Sequence, residues 1–149
     1  MAPILSTEAI SMISESSKYE HSILVSRIMS SLAEHFQTDK EEWVLAGLLH
    51  DLDYDEVDVD TNKHGLVAAS MLEGKVSEGV LHAIMSHDHR TGVEPVNLLD
   101  KTLMFADAFA VLIEDQSLDH NSDEEEITEA ISHEATKSHG SPRLSIVSV

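Results

Sequence analysis

His50 and Asp51 close an apolar run, Trp43-Val44-Leu45-Ala46-Gly47-Leu48-Leu49, and an acidic stretch follows at once. A histidine and a carboxylate at the buried end of a helix are costly unless something pairs them. A divalent metal would do so, because neutral imidazole and carboxylate are both good ligands. Such a centre needs further donors, and the helical period identifies where they could come from. His21 shares a face with Leu24, Val25, Ile28 and Leu32. His50 lies on the line of Trp43, Ala46 and Gly47, with Asp51 under Val44, Gly47 and Leu48. His64 falls with Val67, Ala68 and Met71, and His87 follows Val80, Ala83 and Ile84. Asp107 lies between Leu103, Met104, Ala110 and Val111. Six metal-capable residues therefore fall on inward stripes of five helices. A lone inward histidine is often a hydrogen-bonded core residue. Asp107 fits that reading poorly, because a carboxylate in an apolar face needs a partner and basic residues are scarce.

The other histidines are placed differently. His35 is near a helix end and reads as core or surface. His82 lies opposite the Val80–Ile84 stripe and reads as exposed. His89 is in a loop beside His87, where it could be a ligand or a substrate contact. His120, His133 and His139 fall in polar or late segments.

The elements that must position these residues read as helices throughout. A short helix opens at Ser6-Thr7-Glu8, and a second spans about 18–36. A third, capped by Thr38 or Asp39, runs to about Leu52, with Glu41 and Glu42 suited to the dipole of its first turn. Residues 53–61 read as an acidic loop, with a strand at 57–59 too short to rely on. A fourth helix covers 63–72 and stops at Gly74. A fifth, capped by Ser77, runs to about Ser86, and residues 87–96 form a loop marked by Gly92 and Pro95. An apolar sixth helix spans 98–113, and a seventh starts at Asp123 with Ile127, Ala130 and Ile131 inward. The expected fold class is all-α, a compact irregular bundle of about six to seven helices. Residues 1–140 are expected to form a single domain with its core over 18–115, and residues 141–149 a tail.

Composition narrows the function. A chain of 149 residues fits one domain and can bury a core without disulfides. The absence of cysteine excludes thiolate catalysis and cysteine-type zinc sites. With 28 acidic against nine basic side chains, the net charge of −19 disfavours binding to duplex nucleic acid or to an anionic membrane. No long apolar stretch and no basic-apolar leader is seen, so the expectation is a cytoplasmic protein with no membrane contact. Oligomeric state is left open.

His21, then His50-Asp51, then Asp107 reproduce an ordered H…HD…D string. On that string, and on the segments AGLLHDLDYDE, KHGLVAASML, VLHAIMSHDHRTG and LLDKTLMFADAFAVLI, the chain resembles the HD-domain superfamily of metal-dependent phosphohydrolases. It looks most like the small stand-alone HDIG-type members and, less closely, the bacterial diadenosine tetraphosphate hydrolases. The resemblance covers about 18–115 and implies an HD-domain-like fold. It further implies that His21, His50, Asp51 and Asp107 bind a first metal. His64 and His87 match the places that hold a second in two-metal members, with Asp51 bridging. One or two divalent ions (Fe, Mn, Mg, Co, Ni or Zn) are thus the implied cofactors, and catalysis would use metal-bound water with Asp51. The chain departs from the pattern in reading His50-Asp51-Leu52-Asp53 for HDIG. It also lacks the lysine after HD and the GYP element of the cyclic dinucleotide phosphodiesterases.

A phosphate substrate needs local positive charge, and an Arg offers a two-pronged fork. Arg90 and Lys101 are the expected substrate contacts, with Lys63 and His89 as further candidates. The expected function is hydrolysis of a nucleotide or another small phosphorylated metabolite. Two other readings compete: a di-iron oxygenase of the same superfamily, and a non-catalytic metal- or ligand-sensing domain.

Overall fold

The computed structural model describes residues 3–57 and 61–115. Seven α-helices follow one another along them: α1 (Ser6–Met12), α2 (Tyr19–Phe36), α3 (Lys40–Leu49), α4 (Tyr54–Val57), α5 (Leu66–Leu72), α6 (Glu78–Ser86) and α7 (Leu98–Asp115). Single 3-10 turns at Thr61–Lys63 and His89–Thr91 precede α5 and α7. The fold is all-α, and no strand occurs among the described residues. None of the described helices is long and apolar enough to cross a membrane.

Local chemistry sets the helix ends. The Asp39 carboxylate accepts from the Glu42 N–H (3.1 Å) at the start of α3, and the Ser77 hydroxyl accepts from the Val80 N–H (3.2 Å) at the start of α6. At the start of α7 the Asn97 side-chain oxygen accepts from the Asp100 N–H (2.9 Å). Asp100 returns its carboxylate to the N–H groups of Asn97 (3.3 Å) and Val96 (2.8 Å). Helix α2 ends at Gln37, which adopts the left-handed conformation (φ 57°).

Packing follows from the apolar stripes. Leu24, Val25, Ile28 and Met29 of α2 are fully buried against α3 and α7, while Val80, Ala83 and Ile84 of α6 face α3, α5 and α7. Burying each of the larger side chains stabilises the fold by about 1.5–3 kcal/mol. Helices α2 and α3 approach very closely at Gly47: a Cβ placed there would stand 2.7 Å from the Ser26 Cα. Gly47 thus lets α3 lie against α2 two turns from its cap and brings the end of α3 close to His21.

Several expectations are corrected. The loop expected over 53–61 contains α4, whose Val57 is buried, and residues 58–60 lie outside the described residues. The third helix stops at Leu49, short of Leu52. The helix expected over 63–72 begins only at Leu66, because Gly65 has φ +96° and breaks the run, leaving His64 in a turn. Met71 and Val111, expected inward, are exposed. His35, expected in the core or at the surface, is exposed as one of those readings has it, and meets Phe36 edge-on (5.0 Å). His82, expected exposed, is half-buried and pairs with the buried Asp100 (2.8 Å). The helix expected from Asp123, the tail at 141–149, and His120, His133 and His139 lie outside the described residues.

Candidate metal centre

Three kinds of position deliver the donors. His21 in the first turn of α2 and Asp107 in the middle of α7 lie on helix faces. His50 and His87 occupy the same structural place on different helices, the residue just past the end of α3 and of α6, both in helical conformation. Each donates its Nδ1–H to the carbonyl three residues back, His50 to Gly47 (2.7 Å) and His87 to Ile84 (2.5 Å). A carbonyl can only accept, so both rings carry their proton on Nδ1 and turn Nε2 to the interior. Asp51 follows His50, and His64 sits in the turn ahead of Gly65.

The remaining two imidazoles are held by carboxylates. His21 Nδ1 meets Glu114 (2.7 Å) and His64 Nδ1 meets Asp53 (2.7 Å). All four rings therefore point Nε2 at one small volume, and Asp51 stands at its centre. Its Oδ2 lies 3.3 Å from His50 Nε2 and 3.6 Å from His21 Nε2, while its Oδ1 lies 2.8 Å from His64 Nε2 and 3.7 Å from His87 Nε2. Asp107 Oδ1 completes the first group, 2.8 Å from His21 Nε2 and 3.5 Å from His50 Nε2. The result is two overlapping donor sets, His21/His50/Asp51/Asp107 and Asp51/His64/His87, which share Asp51.

These sets fit divalent ions. His50 Nε2 is fully buried and has no hydrogen-bond partner, although two carboxylates stand nearby. A buried orphan of this kind is costly, and a cation held by the same donors would satisfy it. His64 Nε2 and His87 Nε2 face each other at 3.3 Å, close enough to converge on one cation. Imidazole and carboxylate donors without thiolate suit iron, manganese, cobalt, nickel or zinc.

Without a cation the cluster stores protons. Burial opposes charging His50, but the adjacent Asp51 and Asp107 outweigh it and raise its pKa well above the ordinary value. His64 is likewise raised to about 9 against the cost of burial, through its bonds to Asp51 and Asp53. Burial should push the Asp51 and Asp107 carboxyls up, yet the imidazoles around them hold both well below the usual range. Each proton held this way is one that an incoming cation displaces.

The centre lines the floor of a cavity of about 380 Å³ whose rim includes Lys18, Tyr54, Asp88, His89 and Arg90. The Lys18 ammonium sits 4.5 Å above the Tyr54 ring. Arg90 is largely exposed and forks onto Asp88, with Nε to Oδ1 at 2.9 Å and an outer nitrogen to Oδ2 at 2.5 Å. Lys63 and Lys101 are not on this lining; Lys101 is exposed in the first turn of α7, six residues before Asp107. Four residues of the site were not foreseen: Asp53, Glu114, Lys18 and Tyr54. Asp53, placed among the solvated acids of the loop, is completely buried. Glu114 lies two turns after Asp107, on the same face, and that spacing was a usable signal. Lys18 precedes its helix and gave none.

The HD domain family model matches residues 19–112, a span that contains all six donors. Neither the curated proteins nor the solved structures hold a match to the chain. With the ordered His21…His50-Asp51…Asp107 string gathered at one buried point, and more than half of the chain matched, this protein belongs to the HD domain family.

Proposed function

We propose that the protein is a metal-dependent phosphohydrolase acting on a small phosphorylated molecule. The observation that carries this reading is the pair of donor sets joined by Asp51 at the floor of an open cavity. His21, His50, Asp51 and Asp107 would hold one cation, and His64 and His87 a second with Asp51 bridging. Divalent ions bound there supply Lewis acidity toward phosphoryl oxygens and make a water molecule acidic enough to attack phosphorus near neutral pH. The side chains do the rest. The Nδ1 anchors keep each imidazole oriented before substrate arrives, so little reorganisation is needed during reaction. Lys18 and Arg90 stand at the rim, where a phosphate entering the cavity would compete with Tyr54 and Asp88 for them. His89 is exposed beside them and is a third candidate contact. A cavity of about 380 Å³ lies at the small end of ligand sites and suits a compact substrate.

The test is phosphate release from a panel of nucleotides and phosphomonoesters with each divalent metal in turn. Wild-type protein should release phosphate only with metal, and Asp51→Ala and Asp107→Ala should fall to background while remaining folded by circular dichroism. Release at the wild-type rate in both variants would overturn the assignment. The completeness of the second donor set also favours a second reading, a di-iron oxygenase. Oxygen consumption dependent on an added substrate, with two irons bound and no phosphate release, would replace the first reading with that one.

A further inference from the structure

We propose that Asp53 is the positioning residue of the second metal site, fixing which nitrogen of His64 faces the cation and holding His64 against His87. The proposal rests on the metal reading above and adds a role for a residue that no donor set contains. Asp53 is completely buried, four acidic positions around it notwithstanding, and its two oxygens divide their work. Oδ1 accepts from His64 Nδ1 (2.7 Å). Oδ2 accepts from the N–H groups of Gly65 (2.7 Å) and Ala68 (2.8 Å), so it caps α5 from twelve residues away. The cap is needed because the residue at the head of α5 is Gly65, which has no side chain to offer. Nor could another residue replace that glycine: a Cβ there would stand 2.7 Å from the Ile84 carbonyl oxygen and 3.4 Å from the His87 ring. One carboxylate thus places the turn, caps the helix and orients the ring.

An ionised carboxylate has only acceptors, so when a cation displaces the proton that Nε2 shares with Asp51, the remaining His64 proton stays on Nδ1 against Asp53 and Nε2 is free to ligate. An amide at position 53 reverses this. Its single oxygen can still accept from Gly65 and Ala68, which preserves the cap, but its NH₂ then faces His64 Nδ1 and donates to it. The ring proton moves to Nε2, the atom that faces Asp51 and His87. Asp53→Asn therefore separates the two jobs: the helix stays capped and the ligand is turned off.

Metal-free protein and Asp53→Asn are titrated with zinc by calorimetry, with bound zinc counted by mass spectrometry and folding followed by circular dichroism. The wild-type chain should take up two zinc ions. Asp53→Asn should keep the first affinity and lose about 10–100-fold at the second, with an unchanged helical signal. Two zinc ions at unchanged affinities in Asp53→Asn would overturn the role of Asp53 alone; fewer than two on the wild-type chain would overturn it together with the two-metal reading beneath it. Should Asp53→Asn fail to fold, nitrogen NMR of histidine-labelled, zinc-loaded wild type decides: zinc on His64 Nε2 with a proton on Nδ1 supports the proposal, and zinc on Nδ1 overturns it.

Discussion

The proton store at the centre makes a pH dependence of stability that metal should reverse. His64 ordinarily titrates near 6.5 and is raised to about 9 in the folded, metal-free protein. A raised imidazole pKa contributes stability that is fully present below pH 6.5 and is lost as pH climbs through 9. At 1.36 kcal/mol per pKa unit the shift sets an upper bound of about 3 kcal/mol, shared with the coupled carboxylates Asp51 and Asp53 and reduced by solvent screening, and hence a change of at most about 10 °C in Tm for a chain of this size. His50 is shifted in the same direction and adds to the loss. Asp51 and Asp107 act at the other end: their lowered pKa values stabilise the fold above pH 4 and that benefit disappears as acid is added. The metal-free protein should therefore be most stable between about pH 4 and 6.5. With metal bound the order inverts, because a cation competes with the same protons and its affinity rises with pH. The assay is thermal melting at pH 6, 7, 8 and 9, with chelator and with zinc, in 0.3 M salt to screen the surface acids. His64→Gln should flatten the metal-free slope. A metal-free Tm that is constant or rising from pH 6.5 to 9, or a slope unchanged in His64→Gln, would refute the reasoning.

Other perturbations separate fold from site. Gly47→Ala drives a methyl to 2.7 Å from the Ser26 Cα and should cost about 1–3 kcal/mol, read as a shift in urea midpoint; an unchanged midpoint would contradict the close approach of α2 and α3. Gly65→Ala combines a strained φ of +96° with a clash on the Ile84 carbonyl, so it should lose about 1–3 kcal/mol and the second zinc, whereas Gly74→Ala, strained likewise at φ +80° but with open space around it, should lose stability and keep both zinc ions. Lys18→Ala and Arg90→Ala should each raise KM for a phosphorylated substrate, and Lys101→Ala should leave it unaltered; an effect from Lys101 equal to theirs would show that the substrate lies elsewhere.

How far the site was legible depended on whether its signal was periodic. His21 and Asp107 stood out because a polar residue interrupts an otherwise apolar helical face, and the structure places both facing Asp51 or its neighbours. His50 and His87 were found as extensions of apolar stripes, although each lies one step beyond its helix. Their equivalence as ring-on-carbonyl ends of α3 and α6 needed the backbone to be seen. His64 was assigned to a helix face through Val67 and Ala68, but Gly65 breaks that helix, and the residue reaches the centre by a turn. Asp53 was hidden for another reason. It sits in a run with Asp55, Glu56, Asp58 and Asp60, and no local sequence pattern distinguishes the buried Asp53 from the exposed Asp55 and Glu56. Its neighbour Asp55, by contrast, is exposed and bonds the Ser17 backbone N–H (2.9 Å) and hydroxyl. The distinction is made by long-range packing against α5.

The same geometry dictates an order of binding. The metal-free centre is ringed by Asp51, Asp53, Asp107 and Glu114, and the C-terminal ends of α3 and α6, where helix dipoles are negative, both point into it through His50 and His87. The chain as a whole carries a net charge of −19, so its long-range field also repels anions. Lys18 and Arg90 are engaged with Tyr54 and Asp88 and leave little charge at the rim to offset this. A phosphate should enter only after cations have inverted the local potential. Calorimetric titration with inorganic phosphate should give no heat of binding with metal-free protein and measurable binding once manganese or zinc is bound. The dependence should persist in 0.3 M salt, where the field of distant surface charges is screened beyond a few ångströms and only the local centre still acts. Equal phosphate affinity with and without metal would mean that the anion is held by the rim cations alone, and that the buried carboxylates do not control access.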